Sequence, residues 1–183
     1  DLHRRRHSFP TRRSSDLSHA VLDAVDWRLL RQLQADASLT NQALAERCHL
    51  SAPTCLRRVR RLHELGLVER TVAILDGDAL RAQGVPSLTA VVEVTLDVQA
   101  EEQQRAFEAR AVADAAVQQC YRTSPGPDFV LILTVADMPA FAEASARLFT
   151  ADANVRNVRA FFSLRRAKFT VELPLGDGGT AQG

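Results

Sequence analysis

Leu50-Ser51-Ala52-Pro53-Thr54-Cys55-Leu56-Arg57-Arg58-Val59-Arg60-Arg61-Leu62-His63-Glu64-Leu65-Gly66 is the stretch whose reading decides the fold. Ser51 is a helix-capping residue type, and its hydroxyl is expected to cap the first turn. Pro53 falls in that turn, where amide donors lack intrahelical partners and a missing N–H costs nothing. Gly66 supplies the stop. At about 100° per residue, Leu56, Val59, Leu62 and His63 are predicted on one side of this helix. Thr54, Arg57 and Arg61 then lie on the other side, flanked by Arg58 and Arg60. Four arginines with no acid between Ser51 and His63 admit two readings. One is a solvated helix face, and the other is a helix that meets an anionic partner.

The upstream neighbours favour the second reading. Leu22, Val25, Leu29, Leu30 and Leu33 keep helical spacing behind Asp23, a capping residue, as far as Ala35. Residues 36–39 break the pattern. Thr40 then caps a short helix over residues 41–47, with Ala43 and Leu44 facing inward, and Cys48-His49-Leu50 forms the turn into the arginine-rich helix. Two helices joined by a tight turn, the second basic on its outer face, make a helix-turn-helix. Trp27 sits between Val25 and Leu29 and is expected to pack in the interior, with a partner-facing position as the alternative.

Downstream of Gly66 the pattern changes. Residues 67–74 are rich in β-branched side chains and roughly alternate, predicting a strand or small wing that ends at Asp76-Gly77-Asp78. A short helix over residues 79–83 leads to Gly84-Val85-Pro86, the best linker candidate. Beyond it come a strand (88–96), a helix (101–113) and two strands (117–123 and 129–136) separated by Ser124-Pro125-Gly126-Pro127-Asp128. A helix capped by Asp137 and carrying Phe141, Leu148 and Phe149 follows, and β segments at 155–164 and 167–173 finish the pattern. A βαββαβ order predicts a ferredoxin-like sheet with both helices on one face. The expected fold class is therefore α+β, with a winged helix-turn-helix over 18–75, a linker over 76–87, a second domain over 88–175 and a disordered tail after Leu175.

Composition sets the bounds. A chain of 183 residues that is 46% hydrophobic can bury a real core and has room for two small domains. No apolar run approaches the roughly 20 residues that span a bilayer, and no secretory signal is visible, so a cytoplasmic protein without a membrane partner is expected. Cys48, Cys55 and Cys120 form no C-x-x-C pair, and no clustered histidines accompany them, so neither a disulfide framework nor a metal site is indicated. The net charge of +1 is unevenly spread: residues 22–75 hold eight arginines against six acids, and residues 76–183 hold ten basic against fourteen acidic residues. An anionic partner is expected at the first half.

Residues 1–17 stand apart. Ser8-Phe9-Pro10-Thr11-Arg12-Arg13-Ser14-Ser15-Asp16-Leu17 resembles the conceptual translation of a widely used sequencing adapter, and the segment is read as a non-native artefact. A basic arm touching phosphates is the alternative. Without these residues the chain holds 18 basic and 20 acidic side chains, so any affinity for DNA must come from the local cluster between Arg57 and Arg61.

With this order of elements in place, residues 22–173 resemble the Lrp/AsnC family of bacterial transcriptional regulators. The resemblance rests on Leu22-Asp23-Ala24-Val25-Asp26, on Leu33-Gln34, on the run from Leu50 to Leu62 and on Gly66-Leu67-Val68. It implies a winged helix-turn-helix that binds double-stranded DNA, followed by a βαββαβ domain that dimerises through its sheets. It also implies further assembly, often to octamers, and an amino acid or similar small effector held between subunits. The family's sensing loop has a G-D-x-D-type turn before an apolar strand. Here Pro125-Gly126-Pro127-Asp128-Phe129 displaces the glycine by one and places proline at an acidic position. Tyr121, Thr123, Ser124, Gly126, Asp128 and Phe129 are the candidate effector residues.

At the DNA, Thr54, Arg57 and Arg61 are expected at base edges and Ser51, Arg58 and Arg60 nearer the phosphates, with Pro53 also among the candidate DNA-binding residues. Two alternatives remain open. An architectural DNA-binding protein without a ligand switch would use the same arginines. Some Lrp-like proteins of this two-part build are tetrapyrrole decarboxylases, but all five histidines, His3, His7, His19, His49 and His63, precede the linker. The second domain thus lacks the residue type such chemistry wants, so no catalytic residue and no cofactor are expected.

Overall fold

A computed structural model describes residues 21–176; the segment 1–17 and the tail beyond Gly176 lie outside the described residues. The described chain forms two compact units, one of residues 21–73 with 170–176 and the other Ile74–Phe169.

The first unit is built on three helices, α1 (Ala24–Ala35), α2 (Asn41–Arg47) and α3 (Ala52–Glu64). Asp23 and Asp26 start α1 with a reciprocal capping box, each carboxylate accepting the other's backbone N–H. The Thr40 hydroxyl caps α2 by accepting the Ala43 N–H. Leu29, Leu44, Ala45, Cys48, Cys55 and Leu62 form the buried core, with Leu22, Val25, Leu30, Leu33 and Val59 packed against it. Burying a side chain such as Leu29 stabilises the unit by roughly 1.5–3 kcal/mol. Trp27 is half-buried.

Both α2 and α3 end in the same way. Leu50 N–H donates to Ala45 O at 2.8 Å and His49 N–H to Glu46 O at 3.1 Å, with His49 at φ 55°. Leu67 N–H donates to Leu62 O at 3.1 Å and Gly66 N–H to His63 O at 2.9 Å, with Gly66 at φ 71°. Each is a Schellman motif, which needs a left-handed residue just past the helix. Gly66 adopts it freely, whereas His49 adopts it at the turn of the helix-turn-helix.

The inward face of α3 differs from the sequence expectation. Cys55 and Leu62 are buried with Val59 beside them, whereas Leu56 and His63 are exposed. The seam runs through positions 55, 59 and 62, where the small thiol lets α3 approach its neighbours; the larger Leu56 lies on the outer side. Ser51 occupies the N-cap, but its hydroxyl donates to Thr54 Oγ1 at 2.9 Å and accepts no backbone N–H of the first turn.

Neither residues 67–74 nor residues 167–173 form the expected strands. Their alternation is real, yet a strand needs a ladder partner, and every ladder among the described residues belongs to a single four-stranded sheet. Val72, Ile74, Leu75, Val171 and Leu173 are accordingly exposed. Residues 170–176 run along α1 instead: the Gln34 side chain donates to Leu173 O at 3.0 Å and accepts Leu173 N–H at 3.1 Å, and Arg31 donates to Gly176 O at 2.8 Å.

The second unit opens with α4 (Gly77–Ala82), which starts two residues before the expected helix because Asp76 caps it. Then come β1 (Leu88–Leu96), α5 (Glu101–Ala113), β2 (Val117–Arg122), β3 (Phe129–Val135), α6 (Met138–Ser145) and β4 (Val155–Phe162). The strands pair antiparallel in the order β2-β3-β1-β4, which is the ferredoxin-like arrangement. A π-helical turn over Ala146–Thr150 extends α6 and turns Leu148 and Phe149 into the core. Ala90, Val92, Val94 and Leu96 of β1 and Phe129, Leu131 and Leu133 of β3 pack against Phe107 and Ala111 of α5 and Ala144 of α6. The alternate residues line the other face. There the register sets Gln119 beside Ile132, Ile132 beside Val91 and Val91 beside Phe161, an apolar-rich row across all four strands.

Candidate nucleic-acid interface

The four arginines of α3 divide into two pairs. Arg58 Nη1 lies 2.8 Å from Asp26 Oδ1 and 2.8 Å from Asp23 Oδ2, and Arg61 Nη1 lies 3.0 Å from Asp26 Oδ2. Asp26 itself is 1% exposed. Arg57 and Arg60 are exposed and make no ion pair among the described residues. They share the outer face of α3 with Pro53, Leu56 and His63, while Thr54 is half-buried at the rim. Helical spacing alone would group Arg57 with Arg61 and Arg58 with Arg60; tertiary structure instead groups Arg58 with Arg61 and Arg57 with Arg60.

The electrostatics follow from these contacts. The Asp23 carboxyl is held below its usual range, first by the Asp26 N–H and then by the Arg58 guanidinium and the Val25 N–H, against an opposing burial effect. Arg58 is driven further toward its charged form by its hydrogen bonds to Asp23 and Asp26. Burial raises the Cys48 and Cys55 thiols, which stay protonated in the core between the helices. Asp26, outside the candidate DNA-binding residues, is the buried acid that holds two of the four arginines. Its signal was an acid at core-facing spacing, four residues after Leu22 and three before Leu29.

The second candidate region is the β2–β3 turn. Ser124-Pro125 is a cis peptide and Gly126 has φ 125°, a conformation that favours glycine. Thr123 Oγ1 donates to Pro127 O at 2.5 Å, and Thr123 N–H donates to Asp128 O at 3.0 Å. Asp128 is buried, with Oδ2 accepting Leu96 N–H at 2.7 Å. Tyr121, Ser124 and Gly126 are exposed, with the Tyr121 hydroxyl donating to Gln119 Oε1 at 2.9 Å. Phe129 is fully buried, its ring centroid 4.7 Å from that of Phe107. Among the candidate effector residues, Tyr121, Ser124 and Gly126 thus face solvent, while Phe129 belongs to the core. No group of three or more histidine, cysteine or acidic residues suited to a metal occurs among the described residues.

Residues 22–69 match the winged helix-turn-helix DNA-binding family, and residues 89–173 match the Lrp/AsnC ligand binding domain. The chain belongs to the Lrp/AsnC family. It is a DNA-binding transcriptional regulator with a ligand-binding second domain. Among curated relatives of this Lrp/AsnC regulator, the leucine-responsive regulatory protein of Rhizobium meliloti is 37% identical over 147 residues, covering 80% of this chain and 92% of the relative. The DNA-binding transcriptional activator DecR of Escherichia coli K12 is 30% identical over 155 residues, covering 85% and 99%. Among solved structures, a transcriptional regulator from Neisseria meningitidis in complex with L-Met superposes with a TM-score of 0.74 at 29% identity, covering 84% of this chain and 97% of that one. An AsnC family regulator from Agrobacterium tumefaciens gives the same TM-score, identity and coverage. No described helix is long and apolar enough to cross a membrane.

Proposed function

We propose that this Lrp/AsnC regulator reads duplex DNA with the outer face of α3 and answers to an amino acid bound at the second unit. The observation that carries the first half is the exposed pair Arg57 and Arg60, two cations without acidic partners among the described residues, on a helix-turn-helix second helix. In this reading Arg57 and Thr54 approach base edges, while Arg60, Ser51 and Pro53 sit nearer the phosphates. The side chains of Arg58 and Arg61, expected from sequence at a phosphate and a base, act from the Asp26 side.

The amino-acid effector is supported by the likeness to the Neisseria regulator that holds L-Met. Its site in this chain is the β2–β3 turn: Gly126 allows close approach of a carboxylate to the backbone, the exposed Tyr121 and Ser124 offer hydroxyls, and Asp128 and Thr123 hold the turn. The open sheet face carrying Val91, Ile132 and Phe161 pairs with that of a second copy, and such dimers assemble further, to octamers. The protein works in the cytoplasm, where its DNA is, and is not an enzyme. Isothermal titration against the twenty amino acids tests the effector: saturable heat with at least one is expected, and silence across the panel overturns a free amino acid as the ligand.

A further inference from the structure

The two arginine pairs of α3 are the same device rotated once. Arg57 precedes Arg58 and Arg60 precedes Arg61, so each pair has i,i+3 spacing and the two are offset by one residue, about 100° around the helix. Which pair faces outward depends on the roll of α3 about its own axis. The buried seam of Cys55, Val59 and Leu62 orients α3, and from α1 a carboxylate with both oxygens engaged braces that roll. Asp26 Oδ1 accepts from Arg58 at 2.8 Å, and Oδ2 accepts from Arg61 at 3.0 Å and from the Asp23 N–H at 3.3 Å. Asp23 adds a second acid on Arg58 at 2.8 Å. Two acids therefore balance two guanidinium groups, leaving α3 with two unbalanced arginines where its sequence shows four. Both acids also stand at the N-terminal end of α1, where the helix dipole favours negative charge.

We propose that Asp26 is a positioning residue for DNA recognition: it withholds Arg58 and Arg61 from the phosphates and braces the roll of α3 that presents Arg57 and Arg60. The proposal rests on the DNA-binding reading of α3 and adds to it a count. Each arginine that neutralises a phosphate steepens the dependence of log K on log salt by about 0.9. Asp26 thereby lowers affinity for DNA of any sequence while preserving the geometry that reads bases.

The test is fluorescence anisotropy of the full chain on a labelled random-sequence duplex over a salt series, with circular dichroism confirming that each variant is folded. Arg60→Gln should flatten the slope by about 0.9 per engaged helix. Arg61→Gln, which leaves Arg58 on Asp26, should leave the slope at the wild-type value. Asp26→Asn should steepen it by about 0.9 per engaged helix and tighten binding to random duplex, because Arg61 is released while Arg58 keeps its pair with Asp23. A purely structural Asp26 would give weaker binding with an unchanged or flatter slope, and that result overturns the proposal. If Asp26→Asn does not fold, the comparison of Arg60→Gln with Arg61→Gln decides, and equal flattening by the two overturns the proposal while leaving the DNA-binding role of α3 intact. Wild-type protein without affinity for duplex at low salt would overturn that role and the proposal together.

Discussion

The Asp128 carboxylate accepts the backbone N–H of Leu96 at 2.7 Å, joining the start of β3 to the last residue of β1 inside the second unit. Leu96 is fully buried and stands where the β1–β4 register shifts, so its amide has no ladder acceptor to replace this one. Removing the acceptor leaves a buried donor unsatisfied. Asp128→Ala is expected to destabilise the second unit by about 1–3 kcal/mol in denaturant unfolding, and Asp128→Asn, which keeps an oxygen, by less. Equal losses for the two would mean that the hydrogen bond to Leu96 is not what Asp128 contributes.

Ile132 lies at the centre of the open sheet face, with Val91 as its cross-strand neighbour on one side and Gln119 on the other. Placing a charge there costs little in an isolated unit with a solvated face but much in one paired with a second copy. Ile132→Glu should therefore lower the mass measured by sedimentation equilibrium while leaving the far-ultraviolet circular dichroism unchanged. An unaltered mass would exclude this face from the assembly.

Acid should loosen the first unit through Asp23. Its folded carboxyl lies below the ordinary value of 3.8, because the Asp26 N–H and then Arg58 favour the ionised form. A depressed folded value means that the group adds stability above its unfolded value and loses it as pH falls through the folded one. Asn caps helices about as well as Asp but does not titrate. Stability measured by denaturant unfolding should fall more steeply below about pH 4 in the wild type than in Asp23→Asn. Parallel curves would show that the Asp23 ion pair contributes nothing in this range.

Local signals in the sequence announce several elements of this fold. Asp23 and Thr40 capping, the Gly66 stop and the alternation along β1 are local signals, and each element they announce is present. Where the deciding partner is remote, the reading stopped. Arg58 and Arg61 meet an acid 32 and 35 residues away, so no helical wheel of α3 alone could pair them. Residues 67–74 and 167–173 have strand-like alternation, but alternation does not state whether a ladder partner exists. Cys55 replaced Leu56 in the buried seam because the fit between helices, and not side-chain hydrophobicity, chose the face. His49 gave no warning of its left-handed backbone, since glycine is the residue that announces one. At the β2–β3 turn, Gly126 was legible as a conformational device, whereas the burial of Phe129 needed the Phe107 ring to be in place.

Selection from a random duplex pool followed by sequencing tests most directly whether α3 reads DNA sequence through Arg57 on its outward face. Wild-type protein should enrich a defined motif. Arg57→Ala should still bind DNA but relax at least one position of that motif, by the equivalent of about 1–3 kcal/mol against the wrong base. A wild-type selection without any enriched motif, or an identical motif at identical affinity from Arg57→Ala, would contradict the account.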